Sequence, residues 1–168
     1  ADPTALADRI AVRLLGLQGQ ESDERIDALA GRSIEVVKDY LRGQSAYRRG
    51  LPFEAIDHFD AAIRADSTFG LGVLGLMIAG RSVGNTASDA WPRATPMLAR
   101  MADQLPARDR LHAEALLAGG GRASETLRKF QRAVEAEPED VQLLSLLGSA
   151  WILRGRYIDE PSWEQRAH

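Results

Sequence analysis

The chain has 168 residues, of which 45% are hydrophobic and 27% are charged, a balance typical of a folded protein with a sizeable core. Its formal net charge of −3 gives no general electrostatic attraction to nucleic acid or to anionic lipid. It contains no cysteine, which excludes disulfides and thiolate metal sites. The longest apolar run, residues 69–80, is shorter than the ~20 residues that a membrane span needs. We therefore predict no membrane insertion by this chain.

Residues 1–32 are predicted to form an N-terminal helix and linker. Within them, residues 4–17 carry apolar side chains at helical spacing, which predicts an amphipathic helix; its apolar face consists of Leu6, Ile10, Leu14 and Leu17, with Val12 beside it. Residues 18–22 are polar and indicate a linker, and residues 23–30 are compatible with a further short helix. We expect the N-terminal helix to cover the apolar end of the helices that follow.

Residues 33–67 are predicted to form two helices separated by a turn at residues 49–52. Ser33 is the predicted cap of the first helix. The second helix is predicted to begin at Pro52, because the missing N–H of proline has no cost in a first turn. Apolar residues at helical spacing give the predicted buried stripe of this second helix: Phe53, Ile56, Phe59 and Ile63.

The segment predicted to start at residue 69 contains an unusual number of glycines: Gly70, Gly72, Gly75, Gly80 and Gly84. A glycine costs up to ~1 kcal/mol of helix propensity, so we expect close approach to a neighbouring helix in compensation. Residues 85–89 are a predicted turn. For residues 89–104 two alternatives remain open: one helix distorted near Pro96, which we favour, or a regular helix capped by Thr95.

Three further helices are predicted in the last part of the chain. Residues 107–118 and 124–137 form a pair joined by three glycines at 119–121. Residues 141–154, which begin after Pro138 or Asp140, are apolar on nearly all sides, and such a helix needs cover on both faces. Residues 157–168 either supply part of that cover or begin a missing helix. No segment alternates with a period of two, so we predict no β-sheet.

Particular glycine, phenylalanine and alanine residues recur at a nearly constant interval along the chain. Two pairs of glycines lie 34 residues apart, Gly50 with Gly84 and Gly121 with Gly155, and a step of 37 joins Gly84 to Gly121. A 71-residue step joins Phe59 with Phe130 and Ala62 with Ala133. Repeats of this period are typical of helical solenoids.

These positions resemble the tetratricopeptide repeat (TPR), a helix–turn–helix unit of 34 residues. The first unit matches the TPR pattern at Gly43, Gly50, Ala55, Phe59 and Ala62. The resemblance implies an all-α fold, a right-handed solenoid of antiparallel helix pairs with about three and a half repeats and an N-terminal capping helix. The implied solenoid covers residues 33–168, with units at 33–67, 68–104, 105–138 and 139–168, the last being incomplete.

Two segments carry a finer similarity, YLRGQSAYRRG (residues 40–50) and LPARDRLHAEALL (residues 105–117). They are similar to TPR regions appended to bacterial membrane-bound serine/threonine kinases and adenylate-cyclase-like regulators. No kinase or cyclase motif is present, so the similarity concerns the appended module alone. We expect the chain to be part of a larger bacterial signalling or regulatory protein. Its compartment, and whether that parent protein is anchored in a membrane, stay open.

The TPR resemblance also implies a concave groove, lined by the first helix of each pair, that solenoids use for binding. Tyr and Arg are common anchors at protein interfaces, and both occur among the implied groove residues: Tyr40, Gln44, Tyr47, Arg48, Leu74, Ile78, Arg81, Arg108, Leu111, Ser145 and Ser149. The alternative is that the tyrosines pack against the N-terminal helix. The Lys and Asn set with which some TPR proteins clamp a terminal carboxylate is absent.

No set of residues predicts catalysis, a metal site or a cofactor. Glu54 and His58 share a helix face, but two ligands do not make a metal site. The run of residues 119–122 lacks the P-loop pattern, and no nucleophile motif is present. We therefore predict a non-catalytic module that binds a protein or peptide and no nucleic acid. The alternatives are a homodimer formed through the apolar C-terminal helix, and small-ligand sensing near the glycine-rich helix.

Overall fold

The computed structural model describes residues 3–19, 21–84, 87–118 and 123–154. Every regular element in this part of the chain is helical, which confirms the predicted all-α class. The chain divides into a first unit, Ala1–Pro106, and a second unit, Ala107–His168. The helices are α1 (Pro3–Gln18), α2 (Asp23–Leu29), α3 (Ile34–Arg48), α4 (Pro52–Ala65), α5 (Gly70–Val83), α6 (Ala90–Met101), α7 (Ala107–Leu117), α8 (Ala123–Ala136) and α9 (Val141–Arg154).

Local signals determine where the helices of the first unit begin and end. The Ser33 hydroxyl accepts a hydrogen bond from the Val36 N–H at 3.4 Å, so Ser33 caps α3 as predicted. Gly50 has a φ of +75°, a conformation that glycine adopts without a steric penalty, and it forms the turn into α4. Helix α4 begins at Pro52, as predicted. These short-range features account for the bounds of α3 and α4.

The core of the first unit is built around the ring of Phe59 on α4. A Cβ atom on Gly43 of α3 would lie 2.7 Å from Phe59 Cε1, and one on Gly75 of α5 would lie 2.6 Å from the same atom. The ring therefore occupies the space between α3 and α5 that only glycine leaves open. Tyr40 and Phe69 pack edge to face beside it, with ring centroids 5.3 Å apart.

Helix α5 is the most buried element of the first unit, and its glycines permit that burial. A Cβ on Gly80 would lie 2.6 Å from the backbone nitrogen of Trp91, so the start of α6 contacts the backbone of α5 directly. A Cβ on Gly70 would lie 3.0 Å from Leu105 Cδ2. The expected compensation for the glycines, close approach to a neighbouring helix, is confirmed at Gly75 and Gly80, whereas Gly70 approaches Leu105, which lies outside the helices. Gly84 differs, because it ends α5 with a φ of +76° and has open space beside it.

The predicted apolar face of α1 was wrong. Ile10, Leu14 and Leu17 are 52%, 56% and 60% exposed, whereas Val12 is buried; the side chain of Leu6 lies outside the described part. Helix α1 presents Val12 and Gly16 to its neighbours: Val12 is buried, and a Cβ on Gly16 would lie 2.9 Å from Ile26 of α2. Small residues allow closer approach than leucines do, which explains why this face is the one that packs against α2 and α3.

Phe53 is a second correction, since it was predicted in the buried stripe of α4 but is 57% exposed. It lies in the first turn of α4, immediately after Pro52. The other members of the stripe, Ile56, Phe59 and Ile63, are buried as predicted. Helical spacing thus located the stripe correctly and overestimated its length at the N-terminal end.

Helix α6 continues through Pro96 and ends in a 3₁₀ turn at Ala102–Gln104. This agrees with the favoured alternative, one helix over this region, and excludes a start at Thr95. The Thr95 hydroxyl donates to the Trp91 carbonyl at 2.8 Å, which supplies a side-chain hydrogen bond in the turn where proline interrupts the backbone pattern.

A bidentate salt bridge connects α4 and α6. Both terminal nitrogens of Arg93 donate to the Asp60 carboxylate at 2.8 Å, and this contact raises the pKa of Arg93.

Because the Arg93 guanidinium is partly exposed, we expect a coupling energy of roughly 0.5–1 kcal/mol between the Asp60 and Arg93 side chains. A double-mutant cycle with Asp60→Ala and Arg93→Ala, measured by chemical denaturation, gives this value. High salt should reduce it, and a coupling that is zero at low salt would contradict the prediction.

In the second unit, α8 packs against both α7 and α9. The Thr126 hydroxyl donates to the Ala118 carbonyl at 2.6 Å, and Phe130 is fully buried. Helix α9 begins where the sequence predicted it and buries Leu143, Ala150 and Trp151, whereas Val141, Leu144 and Ile152 are exposed. The predicted glycine turn at 119–121 and the predicted cover at 157–168 lie outside the described residues.

No helix within the described ranges is both long enough and apolar enough to cross a membrane.

Candidate functional site

Polar and aromatic side chains from three helices meet at the C-terminal end of α5. The Tyr47 hydroxyl of α3 lies 3.2 Å from the Ser82 hydroxyl of α5, and either group can donate the hydrogen bond. The Arg81 guanidinium lies over the Trp91 ring of α6, 5.6 Å from its centroid. We refer to Tyr47, Arg81, Ser82 and Trp91 as the α5-end cluster. Ser82 is exposed and the other three members are half-buried, so the cluster remains accessible.

The α5-end cluster contains two of the predicted groove residues, Tyr47 and Arg81. Ser82 and Trp91 were missed by the sequence reasoning. Ser82 follows Arg81 directly and lies one turn after Ile78, whose carbonyl its hydroxyl contacts at 3.2 Å. The only sequence signal for Trp91 was its aromatic character, because its approach to Arg81 depends on the turn between α5 and α6.

Three predicted groove residues belong to the core instead. Tyr40, Leu74 and Ile78 are buried. The Tyr40 ring packs against Phe69 and Phe59, and its hydroxyl accepts a hydrogen bond from the side chain of Gln44 at 3.1 Å. These side chains face neighbouring helices, so in this conformation they are not available to a partner. Gln44, which is half-buried, orients the Tyr40 hydroxyl.

Arg48 is exposed and points toward α1. One of its terminal nitrogens lies 3.5 Å from the Gly19 carbonyl, a long hydrogen bond. A Cβ on Gly19 would lie 2.7 Å from Leu41 Cδ2, so the end of α1 rests directly on α3. Arg48 therefore belongs to the α1–α3 contact and is separate from the α5-end cluster.

The remaining predicted groove residues lie in the second unit. Arg108 on α7 is half-buried and forms an ion pair with Asp140, to which its Nε donates at 3.0 Å. Leu111 and Ser149 are half-buried, and Ser145 is exposed on α9. Arg108 therefore has a structural partner within its own unit.

Asp140 is the best-defined titratable group of the second unit. Burial alone would raise the pKa of its carboxyl group, but the hydrogen bonds from Arg108 and from the Leu143 N–H, together with the electrostatic influence of His112 and Arg108, lower the pKa below its ordinary value. The Leu143 N–H donates to Asp140 at 3.1 Å, so Asp140 is the N-cap of α9. It thereby joins the start of α9 to α7.

The glycine-rich helix borders one small cleft. It has a volume of about 80 Å³ and is lined by side chains that include Arg32, Phe69, Met101 and Leu105. Arg32 is engaged there, since it donates to Asp66 at 2.6 Å and to Thr68 at 2.9 Å. Pockets for drug-sized ligands are typically ~300–1,000 Å³, so this cleft gives little support to a small-ligand sensor.

Among the residues that the structure describes, no three His, Asp or Glu side chains are grouped so that they could hold a metal ion.

Comparisons with known proteins identify no family for this chain. No protein-family model, no curated protein and no solved structure matches it. What the chain binds must therefore be inferred from its own side chains, and the α5-end cluster places two of the predicted groove residues, Tyr47 and Arg81, in accessible positions.

Proposed function

We propose that this chain is a non-catalytic, TPR-like module that binds a protein or peptide through the α5-end cluster, as part of a larger bacterial signalling protein. The observation that carries the proposal is the cluster itself. Tyr, Trp and Arg are the residue types that most often anchor protein interfaces. Here Tyr47 and the Arg81–Trp91 pair meet α5 at adjacent positions, are held by contacts to their neighbours and are only half-buried.

The repeat character is supported by side-chain pairs separated by about one repeat length. In the first unit, hydrogen bonds join Arg32 to Asp66 across 34 positions and Tyr47 to Ser82 across 35 positions. In the second unit, one joins Arg108 to Asp140 across 32 positions. In a stack of helix pairs, residues one repeat apart are neighbours. The packing of Phe59 between Gly43 and Gly75 supports the same arrangement, because both glycines lie at contacts between successive helices.

A peptide selection tests the proposal. We expect a displayed peptide library to yield ligands for the intact chain, and Tyr47→Ala and Trp91→Ala each to weaken the selected peptides roughly tenfold or more. Tyr47→Phe should retain most of the affinity, because the ring rather than the hydroxyl is the anchor. Arg132→Ala, an exposed change on α8, is the control. Full affinity in both alanine variants would overturn the assignment of the α5-end cluster.

Self-association is the second candidate function, favoured by the exposed apolar side chains of α9. If α9 pairs with a second copy, the mass of the intact chain rises with concentration. Ile152→Glu and Leu144→Glu should then return it to a monomer in sedimentation-velocity measurements, while Arg132→Glu leaves the dimer intact. A concentration-independent monomer would exclude this function.

A further inference from the structure

A groove between α1 and α3 has a basic rim. It has a volume of about 280 Å³ and is open to solvent. Leu15 of α1 and Leu41 of α3 supply apolar surface, and both charged side chains that line the groove, Lys38 and Arg42, are cationic. We refer to this feature as the α1–α3 groove.

The side chains of Lys38 and Arg42 make few polar contacts with the rest of the protein. Within the described residues, Lys38 is exposed and has no carboxylate partner. Arg42 makes one long contact, 3.4 Å to Asp39, and its side chain is 63% exposed. Lys38 and Arg42 are four residues apart on α3, so they project from the same helix face about one turn apart. Their charge is therefore presented to solvent at a defined spacing.

The apolar surface extends beyond the groove at Leu14 of α1. Leu14 precedes Gln18, a lining residue, by one helical turn, and its side chain is exposed. The resulting surface combines an apolar ridge with a basic edge. Its complement is a helix whose apolar face covers the ridge and whose acidic residues, spaced one turn apart, face the two cations.

We infer that the α1–α3 groove binds an acidic amphipathic helix of a partner protein. This inference goes beyond the proposed function, because it adds a second binding surface and the chemical class of the partner that fits it. Charge complementarity determines the choice of occupant: two cations at helical spacing beside apolar surface suit acidic side chains on a helix. Nucleic acid is a poorer match, because no aromatic side chain lines the groove and the chain has a net charge of −3.

The test is a second selection from the displayed peptide library, made on the intact chain and on Lys38→Glu/Arg42→Glu. We expect the peptides that the native chain selects at this site to carry acidic residues one turn apart beside an apolar stripe. The charge-reversed variant should lose roughly tenfold or more in affinity for them, with the loss shrinking at high salt, and should select basic peptides instead. The matched control is Arg128→Glu/Arg132→Glu, two exposed cations with the same spacing on α8. Circular dichroism verifies that all variants fold.

Several outcomes overturn the inference. If the native and charge-reversed chains select the same peptides, or the selected peptides respond only to Tyr47→Ala and Trp91→Ala, the groove assignment fails while the proposed function stands. If no peptide is selected at either site, both fail. Binding of phosphatidylserine vesicles in preference to acidic peptides, or a dimer that Leu14→Arg dissociates, would assign the surface to a membrane or to a second copy instead.

Discussion

Gly75→Ala is expected to destabilise the first unit by about 1–2 kcal/mol, although alanine favours helix more than glycine does. The added Cβ would lie 2.6 Å from Phe59 Cε1. An aromatic ring relieves such overlap by moving away, but Gly43 closes the other side of the same ring at a similar distance. The overpacking penalty therefore exceeds the gain of up to ~1 kcal/mol in helix propensity.

A double-mutant cycle with Phe59→Leu isolates the cause. Leucine lacks the Cε1 and Cζ atoms that approach Gly75 most closely. In that background we expect the sign to reverse, so that Gly75→Ala becomes neutral or stabilising by up to ~1 kcal/mol. Gly31→Ala is the control, because a Cβ there meets nothing within 4 Å. Native-state hydrogen exchange of α3, α4 and α5 reports the free energies. Equal destabilisation in both backgrounds would contradict the proposed packing around Phe59.

Asp140→Ala is expected to cost the second unit about 2–3 kcal/mol at neutral pH. The change removes the N-cap of α9, which contributes ~1 kcal/mol, and the charge-assisted hydrogen bonds from Arg108, which contribute ~1.5–3 kcal/mol when both partners are desolvated. The Asp140 side chain is only 5% exposed, but that of Arg108 is 39% exposed, so solvent offsets part of the loss. Asp140→Asn keeps a capping oxygen and should cost about half as much.

The stabilisation that Asp140 contributes should decrease as the pH falls. Because the folded-state pKa of Asp140 is lowered, its stabilisation is complete above the unfolded-state pKa of ~3.9 and is lost as pH falls through the folded-state value. The native chain and Asp140→Asn should therefore differ at neutral pH and converge in strong acid. Hydrogen exchange of α9 between these limits measures the difference. Glu139→Ala, an exposed neighbour, is the control, and a difference that persists unchanged in acid would contradict the assigned ion pair.

Tyr40 and Tyr47 illustrate how far the candidate site was predictable. Both were predicted for the groove from the TPR pattern, yet Tyr40 is buried beside Phe69 whereas Tyr47 remains half-exposed at Ser82. The two residues have the same side chain and lie on the same helix, two turns apart. Only the positions of α4 and α5 distinguish them, and those positions depend on long-range packing. The sequence reasoning did not assign the exposed cations Lys38 and Arg42 to a site, for the same reason.

The sequence by itself determined the features that short-range chemistry controls. Ser33 and Pro52 specify helix starts, Gly50 permits the positive φ of a turn, and the glycines of α5 indicated close approach before any neighbour was known. Each of these signals acts through backbone groups within a few residues, so it can be read without the rest of the chain.

Only the tertiary structure decided which faces are buried. Helix α1 carries Leu14 and Leu17 on one side and Val12 and Gly16 on the other, and the side with Gly16 packs because it lets α1 approach α2 and α3 more closely. Apolar residues at helical spacing identify faces that can be buried, but burial requires a second helix at contact distance. Leu14 and Leu15 of α1 and the basic edge of α3 therefore became evident as one surface only when the two helices were seen together.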